Sequence, residues 1–176
     1  AGTDDGSGDT SGAVLRSADG GDAFSISYES AADIHALAVA AAEPDVIYAG
    51  GEKQDGQALI VQSVDGGASW SEILTGPDGA VRSLAVHPET PDVAYAGLQD
   101  RSSTPSTGLI YRTADGGATW QEVYASDHES LDLTIHSIVI DQGQPGVVYA
   151  ADDLHVLESS DGGTTWRTVQ SYSEPN

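Results

Sequence analysis

His35, Arg82 and His136 each follow a β-branched apolar residue, Ile34, Val81 and Ile135, and each opens a similar apolar stretch. Nitrogen-bearing side chains at one repeated position compose a candidate ring for contacting an anion or a polymer, because imidazole and guanidinium groups offer directed N–H donors. Lys53, Asp100, Arg101, Asp152 and Asp153 fall in the polar segments that follow the partner stretches. Gathering Lys53, Arg82 and Arg101 at one end of these elements would place half of the 6 cations there. Such focusing can orient a partner that the rest of an acidic surface repels. Solvation of an exposed rim, with the histidines bonded to neighbouring loops, is the plainer role for the same side chains. No metal site is expected on His35 and His136, since Arg82 stands between them in repeat order. No cofactor is implied and no catalytic residue is assigned: the chain has 0 cysteines, and it carries no nucleophile elbow, H-E-x-x-H or phosphate loop. Asp4 to Asp9 has the look of a calcium loop but lacks the alternating oxygens and the closing glutamate, so a solvated tail is expected there.

A second set of aspartates recurs in a fixed setting. Ser17-Ala-Asp-Gly-Gly-Asp-Ala-Phe24, Ser63-Val-Asp-Gly-Gly-Ala-Ser-Trp70, Thr113-Ala-Asp-Gly-Gly-Ala-Thr-Trp120 and Ser159-Ser-Asp-Gly-Gly-Thr-Thr-Trp166 share the pattern S/T-x-D-G-G-x-x-W. An aspartate in such a turn accepts backbone N–H bonds from the turn itself, and the glycines take positive φ without a Cβ clash. Asp19, Asp65, Asp115 and Asp161 are therefore read as turn-holding, not as metal ligands or catalysts. Trp70, Trp120 and Trp166 are expected to cover their turns with apolar area. Phe24 replaces tryptophan in the first copy, which should be the least well capped.

The elements that position these residues follow from the flanks. A β-rich stretch precedes each turn (Ala58 to Gln62, Leu109 to Arg112, His155 to Glu158) and a shorter one follows (Ser71 to Leu74, Gln121 to Tyr124, Arg167 to Gln170), the signature of a hairpin. Between hairpins lies an inner pair: Ile34 to Val39 with Asp45 to Gly50, Val81 to Val86 with Asp92 to Gly97, and Ile135 to Ile140 with Gly146 to Ala151, each joined by a proline-containing turn. Four strands per repeat at a period of this length describe a blade, so the fold class is an all-β propeller of four-stranded antiparallel blades. The chain holds three complete blades and one half blade that lacks its inner strands. Open blade faces of apolar side chains do not stay bare, so completion by a second copy, a companion chain or further residues is expected.

The inner-strand pattern with the S/T-x-D-G-G-x-x-W turns covers residues 13 to 170. It resembles the Asp-box, or BNR, repeat of sortilin-type, photosystem II assembly-factor and xyloglucanase-type propellers, and more distantly sialidases. The resemblance implies fold far more than function, because one propeller hosts unrelated activities. Sialidases clamp a carboxylate with three arginines, and Arg16, Arg82, Arg101, Arg112 and Arg167 match that arrangement poorly. Xyloglucanase-type enzymes set two acids across a cleft between two propellers, of which this chain offers at most one side.

Composition narrows the partners. Lys+Arg 6 against Asp+Glu 28 gives a net charge of −22, which disfavours nucleic acid and anionic membrane, both of which recruit lysine and arginine. The balance suits a protein kept soluble at high salt or an acidic secreted protein. No apolar run is long enough to span a membrane. Residues 1–12 read as a flexible acidic Gly/Ser-rich tether, residues 13–170 as the propeller and 171–176 as a tail. Such a tether often follows an export or anchor signal, giving the expectation of an extracellular or cell-surface setting. The leading functional expectation is a non-catalytic binding or scaffolding module that contacts a protein or glycan partner through its channel face and is completed as an oligomer or with a companion chain. The alternatives are a fragment of a xyloglucanase-type glycoside hydrolase and a self-assembling structural unit.

Overall fold

The computed structural model describes residues 12–128 and 130–172. Among them every regular element is a β-strand. β1 (Gly12–Arg16) and β2 (Ser25–Ser30) form a lone antiparallel pair. β3 (Ala32–Val39), β4 (Ile47–Lys53), β5 (Gln57–Ser63) and the first half of β6 (Ser71–Val86) make the first full blade. The second half of β6, β7 (Ala94–Asp100), β8 (Thr107–Thr113) and β9 (Gln121–Ala125) make the second. β10 (Ser137–Ile140), β11 (Val148–Ala151), β12 (His155–Ser159) and β13 (Arg167–Ser171) make the third. Three complete blades and a half blade are thus present, as the repeat predicts.

Several boundaries differ from the sequence expectation. β6 runs unbroken from an outer strand into the next inner strand: up to Asp78 it pairs with β5, and from Gly79 it pairs with β7. The second inner strands begin later than expected, because the proline turns close on themselves through Ala40 N–H to Val46 O (3.0 Å), His87 to Val93 (2.9 Å) and Asp141 to Val147 (3.0 Å). Gly12 and Ser171, expected in tether and tail, pair with Ser30 and His155 inside strands. The rest of the expected tether, the calcium-like stretch included, and residues 173–176 lie outside the described residues.

The core lies between blades. β4, β5, β7 and β8 are buried along near-continuous runs of three to five residues, as strands must be when both faces of their sheet are covered. Tyr48, Ile60 and Ile73 of the first blade meet Val81, Ala96 and Leu109 of the second. Tyr95, Ile110 and Val123 of the second meet Ile138, Val148 and Leu157 of the third. By contrast β10 and β11 alternate buried and exposed, since no described residue covers the outer face of the third blade.

The DGG turns lock this stack. Asp65 Oδ1 accepts the Ser69 N–H (2.8 Å), its Oδ2 accepts the Ser69 hydroxyl (2.6 Å), and Ser63 Oγ in turn accepts the Gly67 N–H (2.8 Å). Asp115 and Asp161 repeat the scheme with Thr119 and Thr165. Within each blade the first glycine of the turn donates to the proline turn: Gly66 to Asp45 O (3.0 Å), Gly116 to Asp92 O (3.0 Å) and Gly162 to Gly146 O (2.9 Å). The aromatic residue does more than cover its own turn, because it reaches the preceding blade. Trp70 Nε1 donates to Ser27 Oγ (3.0 Å) and stacks obliquely on Tyr28, and Trp120 meets Tyr48 edge-on at 6.4 Å. Trp166 stays closer to home, donating to Gly163 O (3.2 Å) while packing with the second-blade cluster. All three tryptophans are half-buried.

Candidate functional site

The connections into the first inner strand and between the second and third strands share one face of the molecule. Backbone bonds tie them together: Gly79 N–H to Gly56 O (2.7 Å), Arg101 to Asp78 O (2.7 Å), Leu133 to Ser106 O (3.0 Å) and Tyr172 to Leu154 O (2.8 Å). The proline turns and the DGG turns lie on the opposite face.

His35 and Arg82 sit at β-bulges. The register of β3 against β4 slips between Ile34 and Ala36, and that of β6 against β7 slips between Val81 and Ser83. The extra residue of a bulge is unpaired and its side chain is re-aimed. His136 occupies the corresponding position just ahead of β10, where its N–H bonds to Ala151 O at 2.9 Å. A bulge thus presents His35 and Arg82 in the first two full blades, while His136 holds the aligned position of the third, where the strand register runs without a slip. His35 and His136 are exposed and Arg82 is half-buried. Partial desolvation, then the Arg82 guanidinium, lowers the His35 pKa from its ordinary value, favouring the neutral ring.

The other predicted residues divide into two groups. Arg101 reaches across from the second blade to make a two-pronged pair with Glu52 of the first, one arm at 3.2 Å, and this pair lies within electrostatic range of His35. Asp153 joins His136 at 2.9 Å and also accepts the N–H of buried Thr134 at 2.9 Å. These residues line the rim with His35 and Arg82. Lys53 turns away toward the outer strand, bonded to Glu72 (2.6 Å) and Thr75 (2.8 Å). Asp100 is spent on its own loop, accepting from Ser102 N–H and Oγ (2.9 and 2.6 Å). The Asp152 side chain is fully buried, accepting from Leu154 and His155 N–H (2.8 and 2.6 Å) and meeting the His155 ring at 3.1 Å. The loop between β7 and β8 is pinned as well, Ser106 N–H donating to Asp132 Oδ1 at 2.6 Å.

A second feature shares only His35 with the sequence-predicted set. Beside the half blade an apolar groove of about 440 Å³ is lined by Val14, Leu15, Phe24, Ile34, His35 and Leu37. Leu37 is 54% exposed, whereas Ile138 at the equivalent position of the third blade is 7% exposed. Phe24 is 63% exposed, since among the described residues no preceding blade receives its ring. The groove was legible only as a consequence of the missing inner strands, not as a motif.

No protein-family model matches the sequence, and a search of curated proteins finds no match. Among solved structures the chain is similar to an ancestral GH74 enzyme, with a TM-score of 0.73 at 22% identity over 93% of this chain and 22% of that one. It is also similar to the GH74 xyloglucanase from Xanthomonas campestris, with a TM-score of 0.56 at 19% identity over 81% of this chain and 24% of that one. YCF48 from Cyanidioschyzon merolae gives a TM-score of 0.56 at 14% identity over 79% of this chain and 37% of that one. The chain therefore spans between 22% and 37% of the length of these proteins. The likeness establishes the propeller fold.

Proposed function

We propose that the chain is an Asp-box (BNR) propeller module, non-catalytic, that contacts a protein or glycan partner through its channel face and is completed by association with another copy or chain. The observation that carries the reading is the repeated bulge: His35 and Arg82 are lifted out of the strand ladder by the same register slip, and His136 takes the matching place in the third blade. Three nitrogen-bearing side chains at one repeat position suit a ligand that spans blades. The Arg101–Glu52 and His136–Asp153 pairs brace that rim, so a ligand meets side chains already partly ordered. A glycan is supported as a partner class by the solved xyloglucanase of similar fold, and a protein by the apolar groove. An extracellular or cell-surface setting fits such a module.

The reading is tested by replacing His35, Arg82 and His136 together with alanine and measuring binding on an array of β-glucan oligosaccharides and in pull-downs with surface proteins. Loss of binding with unchanged melting temperature is expected. Undiminished binding by the triple variant would refute the channel-face site, and turnover of β-glucan oligosaccharides by the purified protein would refute the non-catalytic reading.

A further inference from the structure

We infer that the free edge of β1 and the groove beside it receive an antiparallel β-hairpin of the same type as this chain's own inner strand pairs, with a glycine of its second strand lying over Ile34 and Leu37. The inference deepens the completion by association proposed above and rests on it. Three vacancies at the half blade coincide on that one occupant.

The first is the ladder. In the full blades the third strand is paired on both sides, β5 with β4 and β6, and β8 with β7 and β9. β1 holds the third-strand position of the half blade but pairs with β2 alone, leaving its other edge free among the described residues. A free edge is a template for strand addition. The second vacancy is apolar. Leu37 and Val39 are exposed, while their counterparts Ile138 and Ile140 are buried. The third is a hydrogen bond. The first glycine of each complete blade's DGG turn donates to a carbonyl of the proline turn in its own inner pair, and Gly20 has no such acceptor among the described residues.

Close approach specifies the occupant further. Gly50, on the second strand of the first inner pair, sits so tightly against the next blade that a Cβ there would come within 2.5 Å of Val81 Cγ1 and 3.2 Å of Leu84 Cδ1. Ile34 and Leu37 hold the places of Val81 and Leu84 in the register of their strands. A hairpin filling the groove needs a residue without a side chain over them, and it needs a proline turn whose carbonyl meets Gly20. The chain's own Ile34 to Lys53 segment has that character, with Pro44, Asp45 and Gly50 in the required order.

The test uses a synthetic peptide of residues Ile34 to Lys53, labelled for fluorescence anisotropy and titrated with the intact protein. Saturable binding is expected, together with slowed hydrogen exchange of the β1 amides. A peptide carrying Gly50→Val, and a protein carrying Leu37→Asp, should each bind about tenfold more weakly or worse. Leu37 is exposed, so its replacement should leave the melting temperature unchanged and keep a loss of binding interpretable. Absence of binding, or equal binding by the Gly50→Val peptide, would overturn the inference. Sedimentation of the protein alone separates the two readings: self-association that persists without peptide binding defeats the groove assignment only, whereas a protein that stays monomeric at every salt concentration and also ignores the peptide defeats completion by a second copy as well.

Discussion

The aspartates of the DGG turns act through hydrogen bonds that only the ionised carboxylate accepts in full. In Asp65 the Ser69 hydroxyl, then the Ser69 N–H, hold the pKa down to about 2. Thr165 does the same for Asp161, also to about 2. A folded-state pKa below the unfolded value contributes stability that is present above the unfolded value and lost as pH falls through the folded one. The difference in stability between wild type and Asp65→Asn, followed by urea unfolding, should be constant above about pH 5 and shrink toward pH 2. A difference independent of pH would mean that the ionised form is not what the turn holds. At the rim, Asp153 accepts from the Thr134 N–H and pairs with His136. Asp153→Ala leaves the buried Thr134 N–H without its acceptor and should cost about 1–2 kcal/mol by the same urea measurement.

Between residue and blade, the unit that matters is the junction of one blade's DGG turn with a tyrosine of the blade before it. Tyr95 Oη donates to Gly162 O at 2.8 Å, and a Cβ at Gly163 would fall 2.3 Å from the Tyr95 ring. Gly21, the corresponding glycine of the first turn, has open space around it although its φ of +102° is equally left-handed. Gly163→Ala and Gly21→Ala therefore share a backbone penalty and differ in overpacking, so Gly163→Ala should lower stability by about 1–3 kcal/mol more. Equal losses would remove the junction from the account. Trp120→Ala belongs here too. Its ring is only half-buried and its buried Nε1 lacks a partner, so the loss should fall toward the lower end of the about 3–5 kcal/mol usual for a core aromatic.

Much of this architecture was readable in the residues themselves. Four copies of one turn and three inner pairs fix strand count and order, and the equivalence of His35, Arg82 and His136 follows from aligning copies. What the repeat did not disclose is anything set by contact between copies. The reach of Trp70 and Trp120 into the preceding blade depends on stacking distance, and the diversion of Lys53 to Glu72 and Thr75 depends on rotamer choice across three strands. The bulges were equally hidden, because an extra residue in one strand leaves no signature until its partner strand is in register. The burial of Asp152 arises from the tight turn it closes with Leu154 and His155, which looks like ordinary polar loop sequence.

At the scale of the whole molecule the last blade presents the other unfinished face. Tyr149 is 38% exposed, while Tyr48 and Tyr95, which hold its place in the blades that have a successor, are 0% exposed. Val139 and Val169 lie exposed on the same blade. In the two complete junctions a donor from the third strand also reaches the next turn, Gln62 Nε2 to Gly116 O (3.0 Å) and Arg112 Nε to Gly162 O (2.9 Å). Glu158 holds the place of those donors, one residue before the end of the last blade's third strand, and it is paired with Arg167 at 2.6 Å instead. A carboxylate cannot donate to a carbonyl, so association through this face is weakened twice, by the missing donor and by repulsion between copies of net charge −22. Salt relieves the second term: the screening length falls from about 10 Å at 0.1 M to about 3 Å at 1 M. Sedimentation velocity should accordingly show the average mass rising as salt increases over that range. Glu158→Gln should move the rise to lower salt and Tyr149→Ser should suppress it, with neither change lowering thermal stability as Tyr95→Ser would. A mass that stays fixed at every salt concentration for all three proteins would mean that the exposed tyrosine face does not join copies of the chain.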